Sequence, residues 1–177
     1  MDWYVIDKEY ISYLSKFDYR VGFVDYGNRL KIHIGILFTI NGFQYYVPVS
    51  SAKPKHQKMS NGIDFYKIQD METGYLYAVI NINNMIPVPE GCVTQLKYDK
   101  VGEFREFANE KEKTDYIYLL QKEKKIIDSV AESLMDKAQK LYKKRKQMPE
   151  SSLAKRCCDF VLLEEKSKKY IADNLHL

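Results

Sequence analysis

The run from Lys31 to Lys58, KIHIGILFTINGFQYYVPVSSAKPKHQK, leaves little freedom in how it folds. Asn41-Gly42 stands between two apolar, β-rich segments, and this dipeptide readily takes the positive φ angles of a two-residue hairpin loop. Such a loop predicts a register. Ile40 faces Phe43, Phe38 faces Tyr45, Ile36 faces Val47, Ile34 faces Val49, His33 faces Ser50 and Ile32 faces Ser51. Partners across a ladder share a face, so His33 and Ser50 lie together with Lys31 one diagonal step away. Ser51 and Lys53 follow where the second strand runs out, and then Lys55, His56 and Lys58. No Asp or Glu falls between Lys31 and Lys58. Amines and hydroxyls gathered at one strand end, with no carboxylate in the run, suit a phosphodiester.

A length of 177 residues, 45% of them hydrophobic, can bury a substantial core. The chain reads as one domain over residues 1–177, mainly sheet over 1–100 and mainly helical over 101–177. A net charge of +4 permits a nucleic-acid partner without demanding one. The 15 tyrosines can stack bases, but in a small β-rich protein they are first of all half-buried strand residues. Cys92 and the adjacent Cys157 and Cys158 make neither a disulfide framework nor a zinc pattern, which points to a reducing cytoplasm and to no metal. The opening MDWYVIDKEY lacks the basic and apolar regions of a signal peptide, and no window approaches ~18 apolar residues, so no membrane is expected.

Taken in order, Trp3–Ile6 predicts a short strand, and Asp7 an N-cap for the helix KEYISYLSKF, with Tyr10, Leu14 and Phe17 on one stripe. Residues 18–30 predict a loop from which Tyr26 and Arg29 reach the site. After the hairpin, 53–62 is polar, with Pro54 ending the ladder. Ile63–Ile68, Tyr77–Ile82, Met85–Val88 and Cys92–Leu96 follow as short strands. About six strands joined by short turns imply a strongly twisted antiparallel sheet or partly open barrel. From Glu103 the composition turns to Lys, Glu, Leu and Ala. Leu120, Ile127, Val130, Leu134, Ala138 and Leu141 keep heptad-like spacing, which predicts one long helix or two with a break at 111–114. Pro149 stops it, and Asp159 caps a last helix presenting Phe160, Leu163 and Tyr170. Sheet first and helices after is the α+β pattern.

Each candidate has an ordinary reading beside the functional one. Lys31, Ser50, Ser51 and Lys53 could be a solvated strand end whose serines bond local backbone. They could equally serve RNA cleavage, because RNA brings its own nucleophile and leaves the protein to move protons and neutralise phosphorus oxygens. Crowding among Lys31, Lys53 and Lys55 would lower one amine's pKa. A Ser–Lys acyl-transfer site is disfavoured by the absence of GxSxG and SxxK patterns. His56, among lysines, is a better RNA contact than His33. The stretch KLYKKRK, with Lys140, Lys143, Lys144 and Arg145, is either a helix C-terminus complementing the macrodipole or a phosphate-binding stripe. No cofactor-binding motif is present.

The opening WYVI and YISYLSKFD, the KIHIGILFTINGFQYYVPVSSAKPKH segment, NINNMIPVP, and CDFVLLEEK occur in family order across nearly the whole chain. In these segments the sequence resembles the ToxN/AbiQ family of type III toxin–antitoxin endoribonuclease toxins, and its CptN branch in particular. The resemblance implies a twisted antiparallel sheet with flanking helices, related to the MazF/Kid toxins. It also implies metal-independent cleavage at A-rich sites, leaving 2′,3′-cyclic phosphate and 5′-hydroxyl ends. The implied partners are cellular and phage RNA as substrates, and a pseudoknotted antitoxin RNA that the toxin cuts from a tandem-repeat transcript. Toxin and antitoxin RNA form a closed assembly, and phage defence is the implied role. The family's lysine falls on Lys31 and its Thr/Ser-Ser-x-Lys motif on Ser50, Ser51 and Lys53. Its upstream tyrosine is offset by one position at Tyr26. The alternatives from other classes are a non-catalytic RNA-binding module and a MazF-like toxin with a protein antitoxin.

Overall fold

The hairpin turn forms as predicted. In the computed structural model, which describes residues 1–22 and 31–174, Asn41 and Gly42 take φ values of 52° and 80°. Both central residues are thus left-handed, as a type I′ turn requires. Strand β3 (Thr39–Ile40) pairs with β4 (Phe43–Ser51), and Ile40 stands opposite Phe43.

Beyond the turn the register slips. The N–H of Leu37 donates to Tyr45 O at 2.9 Å and the N–H of Tyr45 to Phe38 O at 3.0 Å, yet in β2 (His33–Gly35) Ile34 pairs with Val47 and His33 with Pro48. Two extra residues are therefore accommodated on the first strand. The predicted pairs Ile34–Val49, His33–Ser50 and Ile32–Ser51 are replaced by pairs two residues earlier along β4, and Ile36, between β2 and β3, does not pair with Val47. Burial explains the slip. Leu37 and Phe38 are both buried while Ile36 is exposed, and a regular strand cannot turn two consecutive side chains into one core. A slip of two leaves every side chain on its original face. It also brings Lys31 level with Ser50, since the N–H of Val49 donates to Ile32 O at 3.1 Å.

The sheet, antiparallel throughout, has eight strands among the described residues rather than about six. With β1 (Asp2–Ile6), β5 (Tyr66–Gln69), β6 (Leu76–Ile80), β7 (Ile86–Val88) and β8 (Val93–Gln95), its order is β5-β6-β4-β2-β1-β8. Strands β3 and β7 pair with the first half of β4. The increase comes in part from the slip, which splits the first hairpin strand into β2 and β3.

Helix α1 (Lys8–Ser15) is capped by Asp7, whose carboxylate accepts the Glu9 N–H at 2.8 Å. Tyr10 and Leu14 are buried as predicted, but the helix ends before Phe17, which is 40% exposed, and Ile11 fills the stripe instead. The polar run after β4 is not all loop, for Pro54 opens the short helix α2 (Pro54–Gln57), where its missing N–H costs nothing. After the one-turn α3 (Val101–Phe104), the long helical stretch is α4 (Glu110–Ser129) and α5 (Ala131–Gln147). The break lies at Val130 rather than at 111–114. Asn109 accepts the Glu112 N–H and so starts α4 just before the predicted break. The short α6 (Ser152–Arg156) was not anticipated, whereas α7 (Phe160–Asn174) begins at Asp159 as expected.

One continuous apolar cluster joins sheet and helices. Within it, the buried carboxylate of Glu164 on α7 accepts from Tyr45 Oη at 2.8 Å, Tyr142 Oη at 2.9 Å and Asn41 Nδ2 at 3.0 Å. The turn, β4 and α5 thus share one anchor. All three cysteines are free and buried. Among the described residues no helix is long and apolar enough to cross a membrane.

Gly35 is the tight point of the slip. A Cβ there would stand 2.4 Å from Tyr46 Cδ1 and 2.6 Å from Cε1, a buried ring with no room to retreat. Gly35→Ala is therefore expected to destabilise the protein by about 1–3 kcal/mol, measured as a lower urea midpoint with an unchanged slope.

Candidate active site

The C-terminal end of β4, the chain just before β2, and helix α4 enclose a cavity of about 360 Å³. Lys31, Ser50, Ser51 and Lys53 all line it. The constellation expected from the hairpin is therefore brought together, through the slipped register rather than the predicted one. Ser50 and Ser51 are fixed on their far side by β6, pairing with Val79 and Ala78. Asn81 Nδ2 donates to Ser50 Oγ at 3.2 Å, which leaves the hydroxyl proton free to aim elsewhere.

Lys31 is half-buried and its Nζ donates to Gly22 O at 3.0 Å. Burial lowers its pKa below the ordinary lysine value. The lowering comes from desolvation and not from the crowding by Lys53 and Lys55 that the sequence suggests. Ser51 and Lys53 are exposed at the mouth.

The two histidines have other places. His33 is 2% exposed with an unpartnered Nδ1, and burial first, then the Lys31 charge, hold its pKa down to about 3. It is a neutral core residue and not an RNA contact. His56 is buried too, because its Nδ1 accepts the Lys53 N–H at 3.1 Å and its ring leans on Phe65. Burial, then Lys55 and Lys53, lower its pKa. Its work is to start α2 and hold the backbone at Lys53, in place of the expected surface contact.

Lys55 and Lys58 stand exposed beside this mouth on α2 and its end. The α5 stripe does not reach the cavity. There Lys143 and Lys144 are exposed, Lys140 pairs with Asp136 at 2.6 Å, and the largely buried Arg145 pairs with Asp159 at 3.0 Å. Arg145 is therefore not a free cation for RNA. Tyr26 and Arg29 lie outside the described residues.

The opposite wall was not foreseen. Arg105, Tyr116, Leu119, Leu120 and Glu123 line it from the segment before α4 and from α4 itself. The Arg105 guanidinium lies 4.5 Å over the Tyr116 ring and 2.8 Å from a Glu112 oxygen. Glu123 is 4% exposed, and desolvation raises its pKa to about 7. The acid-free expectation thus holds along 31–58 but not in the folded cavity. The sequence does carry a signal for Glu123, which falls three residues after Leu120 and four before Ile127, on the apolar stripe of α4.

A carboxyl titrating at about 7 when folded, against 4.5 ordinarily, favours the folded state fully only below the unfolded pKa. As pH rises from about 4.5 to about 7, that contribution is lost, to the extent of roughly 3 kcal/mol. Glu123→Gln has no such titration. Its stability relative to the parent protein is expected to rise over that window, as read by urea unfolding at pH 5 and pH 8.

Known proteins share this architecture. Residues 2–168 match the family model described as Toxin ToxN, type III toxin-antitoxin system. The chain is 28% identical over 173 residues to endoribonuclease ToxN of Bacillus thuringiensis subsp. kurstaki, covering 94% of this chain and 82% of that one. Its fold is similar to a solved structure concerning type III toxin–antitoxin systems with selective toxin inhibition by a non-coding RNA pseudoknot. There the TM-score is 0.79 at 28% identity over 96% of both chains. AbiQ, a lactococcal anti-phage endoribonuclease of the type III class, gives a TM-score of 0.81 at 25% identity, over 97% of this chain and 98% of that one.

Proposed function

Because this chain belongs to the ToxN family of type III toxin–antitoxin toxins, we propose that it is an endoribonuclease toxin of the bacterial cytoplasm, held in check by a small antitoxin RNA. The observation that carries the reading is that Lys31, Ser50, Ser51 and Lys53 line one cavity. The two relatives described as endoribonucleases support it. So does the neighbour in which a pseudoknotted RNA inhibits the toxin. The same reading relates the twisted sheet to that of the MazF/Kid toxins.

The chemistry follows from what RNA supplies. The 2′-hydroxyl oxygen attacks phosphorus, the bond from phosphorus to the 5′ oxygen breaks, and a 2′,3′-cyclic phosphate and a 5′-hydroxyl are left. One proton leaves the 2′ oxygen and one must reach the 5′ oxygen. Lys31, with its lowered pKa, is the group suited to proton transfer. Lys53 and the Ser51 hydroxyl neutralise and orient the non-bridging oxygens as charge builds. Ser50, held by Asn81, supports Ser51. The exposed Lys55, Lys58, Lys143 and Lys144 are free to meet the backbone of the antitoxin RNA, and Lys140, paired with Asp136 on the surface, can exchange that partner for a phosphate. That RNA is processed by the toxin itself from a tandem-repeat transcript and remains in the cavity as product, its 3′ end beside Ser51, in a closed assembly.

Ser51→Ala and Lys53→Ala are each expected to lower RNA cleavage about 100-fold or more, with folding unchanged. Full activity in both variants would reject this site. Cleavage by the parent protein is expected to survive EDTA and to leave cyclic-phosphate ends. A protein that binds RNA and leaves it whole would instead be a non-catalytic binding module.

A further inference from the structure

The cavity has two unlike halves. The strand end offers amines and hydroxyls. The helical side offers an apolar surface from Leu119 and Leu120, a tyrosine ring bearing a guanidinium, and one buried carboxyl. A nucleotide is divided in the same way, into a charged phosphate and a flat body with polar edges. The volume of about 360 Å³ falls within the range of small-ligand sites, roughly 300–1,000 Å³. We infer that the helical half is a nucleobase subsite, in which Glu123 reads the edge of the unstacked base next to the scissile phosphate. This rests on the RNA-cleavage reading above.

Three observations converge on Glu123. It lines the same cavity as Lys31, Ser50, Ser51 and Lys53. It is 4% exposed. Its carboxyl makes no hydrogen bond or ion pair with the described residues, and its charge acts on the Tyr116 hydroxyl only through space. On the cavity wall and without a partner among the described residues, the carboxyl is available to a ligand that enters. Bases outside a helix are held by stacking on aromatic and guanidinium planes and by hydrogen bonds to their edges, and Tyr116 with Arg105 supplies the plane.

The groups around Glu123 leave its carboxyl available to a base edge. Lys31 and Lys53 face the cavity from the strand end, Tyr77 from β6, and Arg105 and Tyr116 from the helical side. None of them forms an ion pair with Glu123, and desolvation leaves much of it neutral near pH 7. A neutral carboxyl presents one donor beside one acceptor. Every base offers a complementary edge, an amino group beside an unprotonated ring nitrogen in adenine and cytosine and a ring N–H beside a carbonyl oxygen in guanine and uracil, so the shape of the cavity and the phosphate's position decide which one fits.

The experiment sequences the ends produced from a randomised RNA by the parent protein, Glu123→Gln and Glu123→Leu, with thermal unfolding confirming that each is folded. The glutamine amide also offers a donor beside an acceptor, so it keeps the pairing, whereas leucine removes it. The parent is expected to show a base preference at one position flanking the cut. The glutamine variant should keep that preference, and the leucine variant should lose it by about tenfold or more. Should the leucine variant cleave more slowly at every site with the preference intact, or the parent show no such preference, the subsite is overturned. Ser51→Ala abolishing cleavage in the same assay would leave the active-site reading standing in that event, and a parent that does not cleave would overturn both.

Discussion

Strand β4 is the constraint on which the rest depends. Its nine residues are hydrogen-bonded along both edges, to β3 and then β2 on one side and to β7 and then β6 on the other. A strand paired on both edges cannot shift alone, because a change of register would break two ladders. Its turn end is held by Asn41 on Glu164, and its far end carries Ser50 and Ser51 into the cavity. The hydroxyls are positioned by backbone, which is stiffer than any loop could be.

Desolvation shapes the site more than charge pairing does. Burial lowers the Lys31 pKa and raises that of Glu123, so each moves toward neutrality in the closed cavity. Lys31 stands on the hairpin wall and Glu123 on the α4 wall, where burial also raises the Tyr116 pKa, so the cavity is chemically polar along its length. His33 and His56, which the sequence offers as RNA contacts, are kept neutral and structural by the same burial.

Much was legible in the chain. The Asn41-Gly42 turn, the Asp7 and Asp159 caps and the apolar stripe of α4 and α5 are local features, set by dihedral preference and side-chain spacing. The register slip was not legible, because it depends on Leu37 and Phe38 both reaching a core built by distant helices. The break at Val130, the turn α2 and the exposure of Phe17 were missed for a similar reason, since packing overrode periodicity there.

The sequence by itself determined which groups could act on a phosphodiester. Lys31, Ser50, Ser51 and Lys53 are close along one hairpin, and a hairpin with a two-residue loop brings its strand ends together whatever surrounds it. Only the tertiary structure decided what stands across from them. Arg105, Tyr116 and Glu123 lie more than fifty residues further along the chain than Lys53. Their approach follows from α4 packing against the sheet: the apolar stripe of α4 marks which face is buried, but not which strand end that face meets.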